Sequence, residues 1–143
     1  MQSPTNAMTQ SPHSRLTAGQ AEERLQALVH SLLERLVDEH HGAWIAQELG
    51  EPIDTLANGD EGLIRPHYLR LKGTVRDILG GDAEEETVRL SSFSIIGQCL
   101  FYLHSHALVT RFYPEQHFKP KTVERLARHV TQFSLGALKE LKK

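Results

Sequence analysis

The stretch Arg89-Leu-Ser-Ser-Phe-Ser-Ile-Ile-Gly-Gln-Cys-Leu-Phe-Tyr-Leu-His-Ser-His-Ala-Leu-Val-Thr-Arg-Phe112 decides the fold. It holds no proline and a single glycine, and from Ile95 to Leu103 nearly every position is apolar. At 3.6 residues per turn, Val88, Phe93, Ile95, Ile96, Cys99, Leu100, Tyr102 and Leu103 cover well over half the circumference of a helix. A helix apolar on most sides is expected to be buried on most sides. It is too short, and too often interrupted by Ser, Gln and His, to span a bilayer. On the remaining face, Thr87, Ser91, Ser94, Gln98, Phe101, Ser105, Leu108 and Phe112 recur at alternating intervals of four and three, which is a heptad seam. The first half of that seam is small and hydroxylated, the second half bulky. Such a surface suits close packing against another helix, including one from a second subunit.

Working outward, 143 residues make one domain long enough to bury a core. A hydrophobic content of 39% with 24% charged residues is ordinary for a soluble globular chain. The formal charge of -2 comes without a basic stripe, so a nucleic-acid surface is not expected. Lys139, Lys142 and Lys143 are more simply helix-end charges matched to the macrodipole. One cysteine, Cys99, excludes an intramolecular disulfide. No apolar signal segment opens the sequence, which makes the cytoplasm the expected location and a membrane an unexpected partner.

Residues 1–17 are rich in Ser, Pro, Thr and Gln and read as a disordered leader; a single folded domain is placed at 18–143. Leu25, Leu28, Val29, Leu32, Leu33, Leu36 and Val37 recur at helical intervals and predict an amphipathic helix from Ala18 to about His40. Asp38-Glu39-His40-His41-Gly42 is expected to end it. Trp44, Ile45 and Leu49 predict a short second helix closed by Gly50 and Pro52. Asn58-Gly59-Asp60 reads as a turn. A third helix is expected from about Glu61 to Leu79, with Pro66 either kinking it or marking a first turn, and Gly80-Gly81 stopping it. Asp82 with Glu85 forms a capping-box pattern ahead of the central helix. The last helix is predicted from Lys121 to Leu141, with Leu126, Val130, Phe133 and Leu138 on one face. Ala127, Ser134 and Ala137 line an adjacent narrow strip. Five helices and no strand make the chain all-α.

In order along the chain, Trp44-Ile-Ala-Gln-Glu-Leu-Gly-Glu-Pro52, Ile64-Arg-Pro-His-Tyr68, Leu90-Ser-Ser-Phe-Ser-Ile-Ile-Gly-Gln-Cys-Leu-Phe-Tyr102 and Arg125-Leu-Ala-Arg-His-Val-Thr-Gln-Phe-Ser-Leu-Gly136 resemble the C-terminal regulatory domain of TetR-family transcription repressors, in its CecR-type branch. The resemblance runs from about Ala18 to Leu141. It implies a homodimer paired through the last two long helices as a four-helix bundle, and a pocket for a small, often apolar effector. Family members also carry an N-terminal helix-turn-helix head, which this sequence does not show. Direct DNA contact is therefore not carried over, and the chain is expected to be either a fragment of a repressor or a headless relative.

The dimer-interface candidates are Ser91, Ser94, Gly97, Gln98, Phe101 and Ser105 on the central helix, with Ala127, Val130, Ser134 and Ala137 on the last. Gly97 costs about 1 kcal/mol of helix propensity relative to Ala, and close approach of another helix is the natural reason for it. Gln98, in the most apolar part of the chain, is either satisfied by Ser94 or the last helix, or fixes register across an interface. Trp44, His67, Tyr68, Phe93, Leu100 and Tyr102 are the candidate effector-pocket residues, although aromatics at helical spacing more often form plain core.

Nine histidines raise the question of a metal, but His104 and His106 point about 200° apart on one helix and no H-E-x-x-H pattern occurs. No metal, cofactor or catalytic residue is assigned. Ser91, Ser92, Ser94 and Ser105 lack a nucleophile turn, and no Gly-rich phosphate loop is present. The alternatives to a sensing and dimerisation domain are a helical carrier or enzyme of similar packing, and a purely structural dimer module.

Overall fold

Thr17 opens the first helix. Its hydroxyl accepts the Gln20 N–H at 3.2 Å while Gln20 Oε1 accepts the Thr17 N–H at 2.9 Å, a reciprocal capping box. In the computed structural model the helices are α1 (Ala18–Glu48), α2 (Asp54–Leu79), α3 (Glu85–His104), α4 (His106–Phe112) and α5 (Pro120–Leu141). The structure describes the backbone of residues 17–48 and 54–142 and the side chains of residues 17–38 and 64–142. Among the described residues there is no strand, and the chain is all-α with five helices.

The amphipathic stripe of α1 does what its spacing predicts. Leu25, Val29, Leu32, Leu33 and Leu36 are buried, and α1 lies against α2, α3 and α5. The α2 stripe adds Leu71, Val75 and Leu79 to the same core, and α5 adds Val123, Ala127, Val130 and Leu138. Buried hydroxyls on these helices are satisfied at home. Ser92 Oγ donates to the Val88 carbonyl at 2.7 Å, and Thr131 Oγ1 to the Ala127 carbonyl at 2.7 Å. At the end of α2, Gly80 takes φ 103° and donates its N–H to the Arg76 carbonyl, the left-handed stop that glycine adopts without strain. Pro120 opens α5, where its missing N–H costs nothing.

The count of five agrees with the sequence reading, but the partition differs. The first two predicted helices are one: α1 continues through His40-His41-Gly42 to Glu48. The predicted closure at Gly50 and Pro52 lies outside the described residues. The Asn58-Gly59-Asp60 turn is helical, because α2 begins at Asp54. Both corrections have one cause: Gly, Asn and Asp are poor helix formers rather than breakers, each costing about 1 kcal/mol or less in a helix. Pro66 sits inside α2. The predicted central helix, in contrast, divides. It ends at Ser105 (φ -104°, ψ 32°), and α4 restarts at His106, which removes Leu108 and Phe112 from the straight seam. The Asp82–Glu85 cap is also corrected. Glu84 occupies the N-cap of α3 without a side-chain cap bond.

Candidate functional site

The sequence predicts α3 buried on most sides, yet one chain covers only one side of it. Val88, Ser91, Ser92, Ile95, Ile96, Cys99 and Leu103 face inward. Leu90, Ser94, Gly97 and Phe101, again spaced by four, three and four, face outward. The outward seam is thus rotated from the predicted one. Ser91 and Gln98 turn toward α5, and Leu90 and Gly97 take the outer positions. Gln98 Nε2 donates to Ser134 Oγ at 3.0 Å, so the amide is satisfied by the last helix of its own chain.

On α5, Ala127, Val130 and Ser134 are no more than 2% exposed within one chain, and Ser134 meets α3 through Gln98. Ala137 is exposed beside them. Phe133 was grouped with Val130 and Leu138, and that grouping is corrected: it is 63% exposed, while Thr131 takes the inward position. At 100° per residue, Phe133 lies about 60° from Val130, on the side away from Leu138. Between the two helices runs an open groove of about 240 Å³, bordered by Ser94, Gln98, Phe133, Ser134 and Ala137. With Leu90, Phe93 and Phe101 on α3 and Leu141 on α5, it belongs to an exposed apolar face. Ser105 is half-buried at the α3–α4 break.

Five of the six effector candidates have described side chains, and these make separate contacts. His67 is buried, and its Nε2 lies 3.3 Å from Ser31 Oγ on α1. It borders a void of about 10 Å³ with Leu28, Val29, Leu32, Leu71 and Ile95. Tyr68 and Phe93 stack on each other instead, with ring centroids 5.4 Å apart. Tyr102 meets Phe101 edge-on at 5.8 Å, and Leu100 is half-buried against the core. Trp44 lies on α1, where its side chain is outside the described residues. Ser31 was missed from the sequence. Its signal was a hydroxyl between Leu28 and Leu32, bordering the apolar stripe of α1.

Two further sites have clear physical characters. Glu85 bridges α3 to α2 by pairing with Lys72 Nζ at 2.5 Å and with Arg76. The hydrogen bond from Lys72, reinforced by the charges of Lys72 and Arg76, holds its carboxyl below the ordinary range. Cys99 is fully buried, and loss of hydration pushes its thiol up to about 12. It is a small core residue rather than a nucleophile. Among the described residues, no three His, Cys, Asp or Glu side chains gather as a metal site requires, and no helix is long and apolar enough to cross a membrane.

The chain is all-α and exposes an apolar surface along α3 and at the end of α5. Its class, the C-terminal domain of a TetR-type transcription regulator, follows from the sequence. Residues 21–138 match the family of the HTH-type transcriptional dual regulator CecR, C-terminal domain, and the chain belongs to that family. It is a family of transcription regulators, not of enzymes. No curated protein and no solved structure matches the chain.

Proposed function

We propose that this domain pairs with a second copy of itself and senses a small apolar effector on behalf of a transcription regulator. One observation carries the reading: α3 leaves Leu90, Phe93 and Phe101 uncovered, and Phe133, Ala137 and Leu141 at the end of α5 continue that apolar patch. Removing such a face from water contributes about 25 cal/mol for each Å² buried, and a second copy supplies the matching surface. Ser94, Gly97, Phe101 and Ala137 would lie in the contact, while Ala127, Val130 and Ser134 would hold it from beneath.

A charge placed on the face tests this. Phe133→Glu should convert a dimer to a monomer on size exclusion, whereas Leu69→Glu, on an exposed position of α2, should leave the dimer intact. Equal behaviour of the two variants would move the contact elsewhere.

For the effector, the supporting feature is buried His67, a polar group in a wall of Leu28, Leu32, Leu71 and Ile95. It suits an apolar molecule carrying one hydrogen-bonding group. The effector would act by favouring one of two helix arrangements. The void beside His67 holds no such molecule without movement of α1 or α2, and that observation favours a second reading, a structural dimer with no ligand. Thermal melting against a panel of small apolar compounds separates the two. Sensing predicts a rise in Tm that His67→Leu abolishes for compounds with a polar group. A structural module predicts no rise with any compound.

A further inference from the structure

Three surface features stand out: the cleft lined by Glu22, Asp77, Lys139 and Lys142, the Lys72–Arg76–Glu85 cluster, and the surface around Gly97. Only the last leads to a specific partner geometry. A Cβ added at Gly97 would meet no atom of the chain within 4 Å, and the same holds at Gly136 on α5. The fold of one chain therefore gives no reason for either glycine, although each weakens its helix relative to alanine. Gly73 on α2 is equally open, but Arg70, Lys72, Arg76 and Asp77 surround it and no apolar face is built there.

Gly97 differs in its flanks. Phe93 and Phe101 stand one turn before and one turn after it, both about half exposed. The glycine is the floor of a notch with an aromatic wall at each end. No charged residue interrupts the outward seam Leu90, Ser94, Gly97, Phe101. A notch with equal walls on both sides is self-complementary, which is the requirement of a two-fold contact.

The available area agrees. Phe93, Phe101 and Phe133 are 45% to 63% exposed; at about 150–250 Å² per aromatic side chain they alone hold roughly 250–400 Å² of uncovered surface. With Leu90 and Leu141 also exposed, the apolar side chains of the face supply roughly half of the 800 Å² per partner typical of a stable interface, with Ser94, Gly97, Gly136 and Ala137 exposed between them.

We infer that the two-fold axis of the dimer passes beside Gly97, so that α3 crosses α3 of the second copy there, backbone close to backbone, with Phe93 and Phe101 gripping the partner helix on either side. This rests on the dimer reading above and adds the position of the axis. Helix axes normally pack 8–10 Å apart, and glycine at the crossing permits the short end of that range.

Cysteine cross-linking of the full chain tests the position. Native Cys99 is buried and points away from this face, so an introduced thiol is the reactive one. Only residues whose Cα atoms approach within about 7 Å can form a disulfide. Under mild oxidation, Gly97→Cys should give a covalent dimer at least tenfold faster than Leu90→Cys or Phe133→Cys. A sedimenting dimer whose fastest cross-link is at Leu90→Cys or Phe133→Cys would overturn the axis while leaving the dimer standing. A monomeric native chain would remove the dimer and the axis together.

Gly97→Leu gives a second readout with no chemistry involved. It should weaken dimerisation at least a hundredfold while the separated monomer keeps its helical content and melts no lower. Unchanged association would place the crossing elsewhere.

Discussion

Gln98 donates its side-chain N–H to Ser134 Oγ at 3.0 Å, and this one bond ties the apolar heart of α3 to the buried strip of α5. Ser134 is almost wholly enclosed, so an unmatched partner there loses hydration without recompense. Gln98→Ala and Ser134→Ala should each cost about 1 kcal/mol in denaturant unfolding. The double variant should cost less than the two added together, with a coupling of about 0.5 kcal/mol or more. Strict additivity would mean that the bond contributes nothing to the fold.

Leu36 and Phe133 test opposite sides of the packing account. Leu36 is fully buried, and Leu36→Ala should destabilise one chain by about 2–5 kcal/mol through lost burial and a residual cavity. Phe133→Ala, measured at concentrations where the chain is monomeric, should change unfolding by about 0.5 kcal/mol or less. Its effect should emerge only where the dimer forms. A large loss in the monomer would mean that Phe133 packs inward after all.

The pairing of Glu85 with Lys72 and Arg76 gives a pH signature. Its carboxyl is held below the ordinary range, so the folded state binds this proton less readily than the unfolded chain. The stabilisation is present above the unfolded carboxylate value, about 4.3, and is lost as pH falls through the lower folded value. The Tm gap between the native chain and Glu85→Gln should therefore be widest near neutrality and close in acid. High salt should narrow it as well, since the cluster is exposed. A gap that widened in acid would reverse the assignment.

Cys99 provides an alkaline counterpart. Burial raises its thiol to about 12, whereas an unfolded cysteine ionises near 8.5. Stability should decline with pH from about 8.5 toward the folded value, and Cys99→Ala should flatten that decline. At neutral pH a water-soluble thiol reagent should label the unfolded chain and leave the folded one unmodified. Rapid native labelling would show that α3 opens.

How much of this was legible in the sequence depends on whether a helix declares its own buried side. The α1 stripe from Leu25 to Leu36 is apolar on one face and charged on the other, and its burial followed directly from spacing. The α3 segment is apolar nearly all round. Periodicity there marks a helix without saying which side its own chain covers, and the seam came out rotated, with Gly97 outside and Gln98 turned toward α5.

Phe133 misled for a related reason. Size and apolarity suggest core, but the buried side of α5 is narrow and is filled by Ala127, Val130, Thr131 and Ser134. His67 could be singled out beside Pro66, but its partner Ser31 is 36 residues away, and nothing local joins them. The break at Ser105 has no proline or glycine to announce it.

The central claim is that a second copy covers the face of α3 and α5 that one chain leaves bare. Sedimentation equilibrium of the full chain at tens of micromolar tests it most directly. The account predicts a species of twice the 16.1 kDa chain mass, dissociating on dilution and in the Gly97→Leu variant. A native chain that sediments as a 16.1 kDa monomer at that concentration contradicts it.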